Sequence, residues 1–153
     1  MHALDLKVPP LVVWLVVAAL MWFVSRETPP FAFAIPAGDF IAGGLALAGT
    51  AMAVPGIAAF WRAKTTILPM KPDAASSLVT SGVYRRSRNP MYVGLLLVLA
   101  GWASFLSNAL AFLFLPAFVS YMSCFQIEPE ERALTARFGQ DFTAYKSRVR
   151  RWL

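Results

Sequence analysis

From Phe40 to Trp61 the chain runs without a single charged residue. That is enough to cross a hydrocarbon layer, which takes roughly 20 helical residues. No other feature constrains the fold as much. Hydrocarbon offers no partner to a backbone N–H or C=O, so such a segment must be a helix that satisfies its own hydrogen bonds. Further apolar runs accompany it, and the sequence predicts spans at about 10–25, 39–61, 91–106 and 109–127. Ser107-Asn108 is read as a tight turn that joins the last two spans into a hairpin. Composition agrees: 58% of the residues are apolar and 14% charged, against roughly 45–50% and about 25% in soluble domains. A chain of 153 residues cannot hide that excess in a core, so lipid is the solvent of much of its surface. The expected fold is all-α: one domain, residues 1–153, forming an integral membrane bundle of about four transmembrane helices with amphipathic C-terminal helices on the cytoplasmic side.

Charge sets the orientation. The net charge is +6, but the basic residues cluster at the ends of apolar runs, where anionic headgroups attract them. A nucleic-acid partner is therefore excluded. Lys7 precedes the first span. Arg62, Lys64, Lys71, Arg85, Arg86 and Arg88 lie between the second and third, and Arg132, Arg137, Lys146, Arg148, Arg150 and Arg151 follow the fourth. Four spans place all of these on one side and leave Arg26 alone on the other. The positive-inside rule makes the crowded side cytoplasmic, so both termini are expected there, with a bacterial inner membrane as the location. The first run has no small-x-small cleavage site and is followed by Ser25-Arg26-Glu27, which reads as a retained anchor.

Within the second run, small residues at four-residue spacing, such as Gly44 and Ala48, are expected to bring helices close together. Pro55-Gly56 and Pro116 are expected to kink their helices. In the tail, Leu134, Phe138, Phe142, Tyr145, Val149 and Trp152 recur every three or four residues, a helical stripe. Pro129 suits a first helical turn and Gly139 a helix end, so two short helices should meet near Gly139. They either lie on the membrane surface or cover a cavity built by the spans.

The signatures of many soluble enzymes are absent: there is no P-loop, G-x-S-x-G, H-E-x-x-H, paired C-x-x-C or strand–G-x-G-x-x-G–helix unit. Cys124 is the one cysteine, which rules out an intrachain disulfide and a cysteine metal cluster. No metal site is expected, and neither Cys124 nor His2 is given a role. The informative stretch runs from Leu78 to Gly94, LVTSGVYRRSRNPMYVG. Taken alone it reads as a basic, turn-rich loop in which Pro90 starts a helix and Tyr92 anchors at the interface. Likewise, Glu128-Pro129-Glu130-Glu131 taken alone is acidic charge at a helix N-terminus. The hairpin, however, returns Glu130 and Glu131 to the Arg88–Tyr92 segment. Carboxylates and arginines together at membrane depth are costly unless paired or functional.

With Leu134, Phe138-Gly139, Tyr145 and Val149 added, the pattern resembles the isoprenylcysteine carboxyl methyltransferases and their bacterial relatives over about residues 65–152. The phosphatidylethanolamine N-methyltransferases share a looser version. The resemblance implies a membrane helix bundle whose C-terminal half wraps S-adenosylmethionine. Ser76, Ser77, Leu78, Val79 and Tyr84 would line the cofactor, Asn89, Pro90, Met91 and Tyr92 would continue the wall, and Glu130 would hold a polar group. Asn89 and Ser76 stand where the eukaryotic enzymes have histidine. Gln126, a candidate substrate residue, stands where they place an arginine that serves the prenylcysteine, and this departure counts against a carboxylate acceptor. Arg88 and Glu131 are candidates for positioning, and no side chain is named as a base. The chemistry is compatible. Glu130 suits a cationic or hydroxyl group, Arg85 or Arg88 the cofactor carboxylate, and Tyr84 and Tyr92 the adenine or sulfonium. The expected function is S-adenosylmethionine-dependent methyl transfer to a lipophilic acceptor, either a prenylcysteine-like carboxylate or another small apolar nucleophile. The alternatives are N-methylation of a phospholipid or a non-catalytic membrane binding protein. Oligomeric state is left open.

Overall fold

The computed structural model of the protein describes residues 5–64 and 76–153. His2, Lys71 and the start of the C-terminal half at Thr65, all named above, lie outside them. Among the described residues the chain forms an all-α membrane helix bundle. Helix α1 is Pro10–Glu27 and α2 is Gly38–Arg62. A 3-10 turn, Gly82–Arg85, precedes α3, Pro90–Leu106. The fourth rod is segmented into α4 (Ala109–Phe112), α5 (Phe114–Tyr121), a π-helical turn (Met122–Ile127) and α6 (Glu128–Phe138), and α7 (Gln140–Arg148) follows it. The helices at Pro10–Glu27, Gly38–Arg62 and Ala109–Phe138 are each long and apolar enough to cross a membrane. At 17 residues α3 is shorter, but it reaches the lower end of the roughly 17–25 residues a span requires.

Helix α3 is the centre of the bundle. Leu99 and Ala103 are fully buried with Met21 of α1 and with Ala111, Phe118 and Met122 of the fourth rod. Indole N–H groups tie α1 to α3 in both directions: Trp14 donates to the Leu95 carbonyl (3.0 Å) and Trp102 to that of Ala18 (3.1 Å). The outward surface is apolar. Leu47, in mid α2, is 72% exposed, and Leu11, Leu15, Phe23 and Leu113 also face out. Such a surface suits hydrocarbon and not water.

Helices α2 and α3 touch backbone to backbone. A Cβ added at Gly49 would lie 2.6 Å from the Gly94 carbonyl oxygen, and one at Gly94 would lie 2.6 Å from that of Gly49. Gly101 makes a similar approach, 2.8 Å from the Ala42 carbonyl oxygen. This corrects the expectation for Gly44: a Cβ there would meet nothing within 4 Å, and the same holds at Gly43. The four-residue spacing of small residues is present on more than one face of α2, and the face turned to α3 carries Ala42, Gly49 and Ala53.

At the far end of the bundle, Ser107 takes the left-handed conformation (φ 49°) that turns the hairpin. Asn108, fully buried, caps α4 by accepting the Leu110 N–H (2.9 Å), and its amide donates to the Thr28 carbonyl (3.0 Å). In the tail, α6 begins at Glu128 with Pro129 in its first turn, as the sequence predicts, and it follows the π-helical turn directly, so that it prolongs the fourth rod. Pro129 has no N–H for the Phe125 carbonyl four residues back, and that oxygen accepts instead from Leu6 N–H (3.0 Å). The freed carbonyl thus tethers the N-terminal segment. Pro116 acts similarly on Phe112, and the rod breaks at Leu113. Helix α2 runs through Pro55 unbroken. Helices α6 and α7 meet at Gly139 (φ 53°), as the sequence predicts.

Candidate functional site

At the end of the bundle where α1 and α3 begin and α2 ends lies a cavity of about 480 Å³. Ligand sites commonly occupy roughly 300–1,000 Å³. Its floor is the first turns of α3, with Met91, Tyr92 and Leu95. The last turns of α2 supply Ala53, Ile57 and Phe60, and the entry to α1 supplies Pro9, Pro10 and Leu11. The segment Ser77-Leu78-Val79 and Tyr84 form a side wall. The covering layer is α6 and α7, which contribute Glu130, Glu131, Leu134, Phe142 and Tyr145. The amphipathic tail therefore covers a cavity, one of the two arrangements its sequence allows.

Two buried polar atoms at this cavity have no hydrogen-bond partner, the Tyr84 hydroxyl and Arg88 Nε. Buried polar groups are nearly always satisfied, so each one left over calls for an explanation. Tyr84 is held in place by its backbone and its ring. Its carbonyl accepts from the Tyr145 hydroxyl (2.7 Å), and its ring meets Phe60 edge-on with centroids 5.5 Å apart. Burial above all, with the nearby Glu130 charge, pushes the Tyr84 phenol far up. Burial pushes Tyr145 up to about 12, with Arg88 opposing. Both phenols stay protonated at neutral pH.

The hairpin brings the acidic and basic stretches together. The Tyr92 hydroxyl donates to Glu130 Oε2 (3.3 Å). Arg88 Nη2 pairs with Glu131 Oε1 (2.9 Å), and Nη1 donates to the Lys146 carbonyl (3.0 Å). The Glu131 carboxylate, 8% exposed, also pairs with Arg151 (2.9 Å) and Lys146 (3.4 Å). Glu130 lies just past the apolar part of the fourth rod. Burial pushes its carboxyl up to about 7; the Tyr92 hydrogen bond opposes this and the Glu131 charge adds to it. Glu130 thus keeps its proton to a higher pH than an exposed carboxyl does, a shift common where residues do chemistry or bind charge.

Of the residues singled out from the sequence, Ser77, Leu78, Val79, Tyr84, Arg88, Asn89, Met91, Tyr92, Glu130 and Glu131 line this one cavity. Ser76 and Pro90 do not. Ser76 is exposed and donates to the Lys64 carbonyl (3.2 Å), while Pro90 is buried as the first residue of α3. Gln126 lies behind the wall, buried and hydrogen-bonded to Tyr92. Arg85 is exposed and lines no part of the cavity, which leaves Arg88 as the arginine there. Sequence reasoning missed the contribution of the first two helices, since neither carries a motif. It registered Phe142 only in an apolar stripe, and Leu134 and Tyr145 in that stripe and in the family pattern, without a place at the cavity for any of the three. Nothing in the sequence marked Arg151 out from its basic neighbours.

The family whose model matches residues 39–141 is described as phospholipid methyltransferase. An uncharacterized protein of Haemophilus influenzae is 44% identical over 63 residues, which is 41% of this chain and 100% of that protein. No solved structure matches the chain.

Proposed function

The chain belongs to the phospholipid methyltransferase family, whose activity is methyl transfer to lipid-like substrates at the membrane, and from that premise we propose that it transfers a methyl group from S-adenosylmethionine to a lipophilic acceptor arriving from the bilayer. One observation carries the proposal. The cavity joins the Ser77–Val79 and Arg88–Tyr92 segments to Glu130, and it leaves the Tyr84 hydroxyl and Arg88 Nε without protein partners.

These residues fit the cofactor. Arg88 Nε would meet its carboxylate and Glu130 its ammonium or a ribose hydroxyl, both charge-assisted contacts. The rings of Phe60, Tyr84 and Phe142 would receive the adenine and face the positive sulfonium. When bound, S-adenosylmethionine supplies an electrophilic methyl carbon. The chain's own work is to orient that ligand and keep water out. Its apolar walls, Ile57, Leu78, Leu95 and Leu134, exclude solvent, and the protonated phenols donate hydrogen bonds without adding charge.

Two acceptor classes remain in play. A prenylcysteine-like carboxylate, or another apolar nucleophile, would need no base. An amine on a phospholipid is favoured by the family match. It must arrive unprotonated, because only a free lone pair can attack the methyl carbon.

Calorimetry of S-adenosylmethionine on the detergent-purified protein tests the cofactor. Micromolar affinity is expected, with Glu130→Ala weakening it by about tenfold or more, as loss of a charge-assisted contact does. Absence of binding by a folded sample would sink the proposal. Transfer of labelled methyl to phosphatidylethanolamine or to prenylated thiols then separates the acceptor classes. Binding without transfer to either would support a non-catalytic membrane protein.

A further inference from the structure

The C-terminal end of the chain is fastened to the Arg88 turn at several points. The Arg150 carbonyl accepts the Arg88 N–H (2.9 Å). The Arg151 carbonyl accepts from the Asn89 amide (2.9 Å) and the Ser87 hydroxyl (3.5 Å). The Trp152 indole donates to the Ser123 hydroxyl (3.2 Å), pinning the end against the π-helical turn. The Arg151 guanidinium grips Glu131 with two nitrogens, Nη2 to Oε2 at 2.9 Å and Nε to Oε1 at 3.3 Å, while Nη1 reaches Glu128 (3.2 Å). Glu131 in turn holds Arg88 Nη2. Arg151 itself lines no part of the cavity, so whatever it does there it does through Glu131.

We propose that Arg151 is a positioning residue: by fixing Glu131 it holds the Arg88 guanidinium so that Nε, its one donor nitrogen without a protein partner, binds the carboxylate of an amino-acid-bearing ligand. The inference rests on the reading that the cavity takes S-adenosylmethionine and its product. A planar guanidinium held at both terminal nitrogens has little freedom left, and the remaining nitrogen is presented in a fixed place. Arg88 Nη1 is held by the Lys146 carbonyl and Nη2 by Glu131. Without Arg151, the Glu131 carboxylate is left to Arg88 and Lys146 alone. It turns toward Lys146, which already lies 3.4 Å away, and Arg88 loses its fixed presentation. The adenosine end of the ligand, at the apolar and aromatic wall, does not depend on this chain of contacts.

The test compares two ligands that differ only in the group at issue. S-adenosylhomocysteine carries the carboxylate; S-adenosyl-3-thiopropylamine keeps the ammonium and the adenosine but lacks it. Calorimetry on the full-length wild type, Arg151→Ala and Arg151→Lys is expected to show a selective effect. Arg151→Ala should lose about tenfold or more in affinity for S-adenosylhomocysteine, as expected for a misaligned charge-assisted contact, and stay within about twofold for the decarboxylated ligand. Arg151→Lys, which restores charge but not the two-nitrogen grip, should recover only part of the loss. Equal loss for both ligands would make Arg151 merely structural and overturn the proposal. No loss for either, in a protein whose wild type binds S-adenosylhomocysteine, would overturn it and leave the cofactor assignment standing. A wild type that binds both ligands equally well would also overturn it, since no carboxylate is then being read. A folded wild type that binds neither would bring down the cofactor assignment and this inference together.

Discussion

Glu130 is the residue whose charge state matters most to the cavity. Its carboxyl is pushed up to about 7, first by burial and then by Glu131, with the Tyr92 hydroxyl opposing. A cationic ligand needs the ionised form, so binding draws the pKa down and releases a proton below neutrality. Affinity for S-adenosylmethionine should therefore hold above about pH 7 and fall below it, by up to about tenfold per pH unit, until pH reaches the lowered pKa of the complex. Glu130→Gln should show no such slope, and the two proteins should converge in acid. Calorimetric titrations from about pH 5.5 to about pH 8 check this; a flat wild-type profile would remove Glu130 from any role in holding a cation. At this scale the sequence was informative where residue types are uncommon in membranes. Arg88, Asn89, Tyr92 and the Glu130-Glu131 pair stand out because charge and amide groups at that depth are costly. Phe60, Ile57 and Leu95 face the cavity as ordinary apolar residues, and apolar residues on a membrane helix carry no mark of which face is lined. Arg151 was illegible because a basic residue in a basic tail is expected to be solvated, and only the folded chain shows its guanidinium turned onto Glu131.

At the scale of the helix, the decisive contact is where α2 meets α3, because both helices contribute to the lining of the cavity. Their backbones touch at Gly49 and Gly94, with room for no Cβ. Gly94→Ala should force them apart and destabilise the protein by about 1–3 kcal/mol, the usual cost of overpacking. Gly44→Ala, on the open face of the same helix, should be silent or slightly stabilising through better helix propensity. Thermal unfolding in detergent of the two variants side by side tests the assignment; equal effects would show that the close approach is not where α2 and α3 pack. The apolar runs made the helices themselves legible, and Ser107-Asn108 and Gly139 gave the turns. The packing face was not legible, because glycine and alanine recur around α2 and a one-dimensional spacing rule selects no single side. Nor was the continuity of the fourth rod into α6. Pro129 marks the first turn of α6, but nothing in the sequence says that a π-helical turn joins that helix to the rod before it.

For the molecule as a whole, charge and cavity point the same way across the membrane. Apart from Arg26, the basic residues of the described chain lie at or beyond the end of the bundle that holds the cavity, and the positive-inside rule predicts that this end faces the cytoplasm. The proposed ligand supplies an independent reason. S-adenosylmethionine is charged and made inside the cell, and charge does not cross hydrocarbon unaided, so its cavity must open inward. With an even number of crossings, the C-terminus, with Arg151 and its hold on Glu131, is then expected on the same cytoplasmic side. Fusions test this directly. A fluorescent protein joined after Leu153 should be bright and alkaline phosphatase there inactive, while phosphatase joined in the connection after Ile35, at the opposite end, should be active. Active phosphatase at the C-terminus would turn the bundle over and open the cavity to a compartment without the cofactor. The methyl-donor assignment would then fail along with the orientation, because both rest on the same end of the molecule facing the cytoplasm.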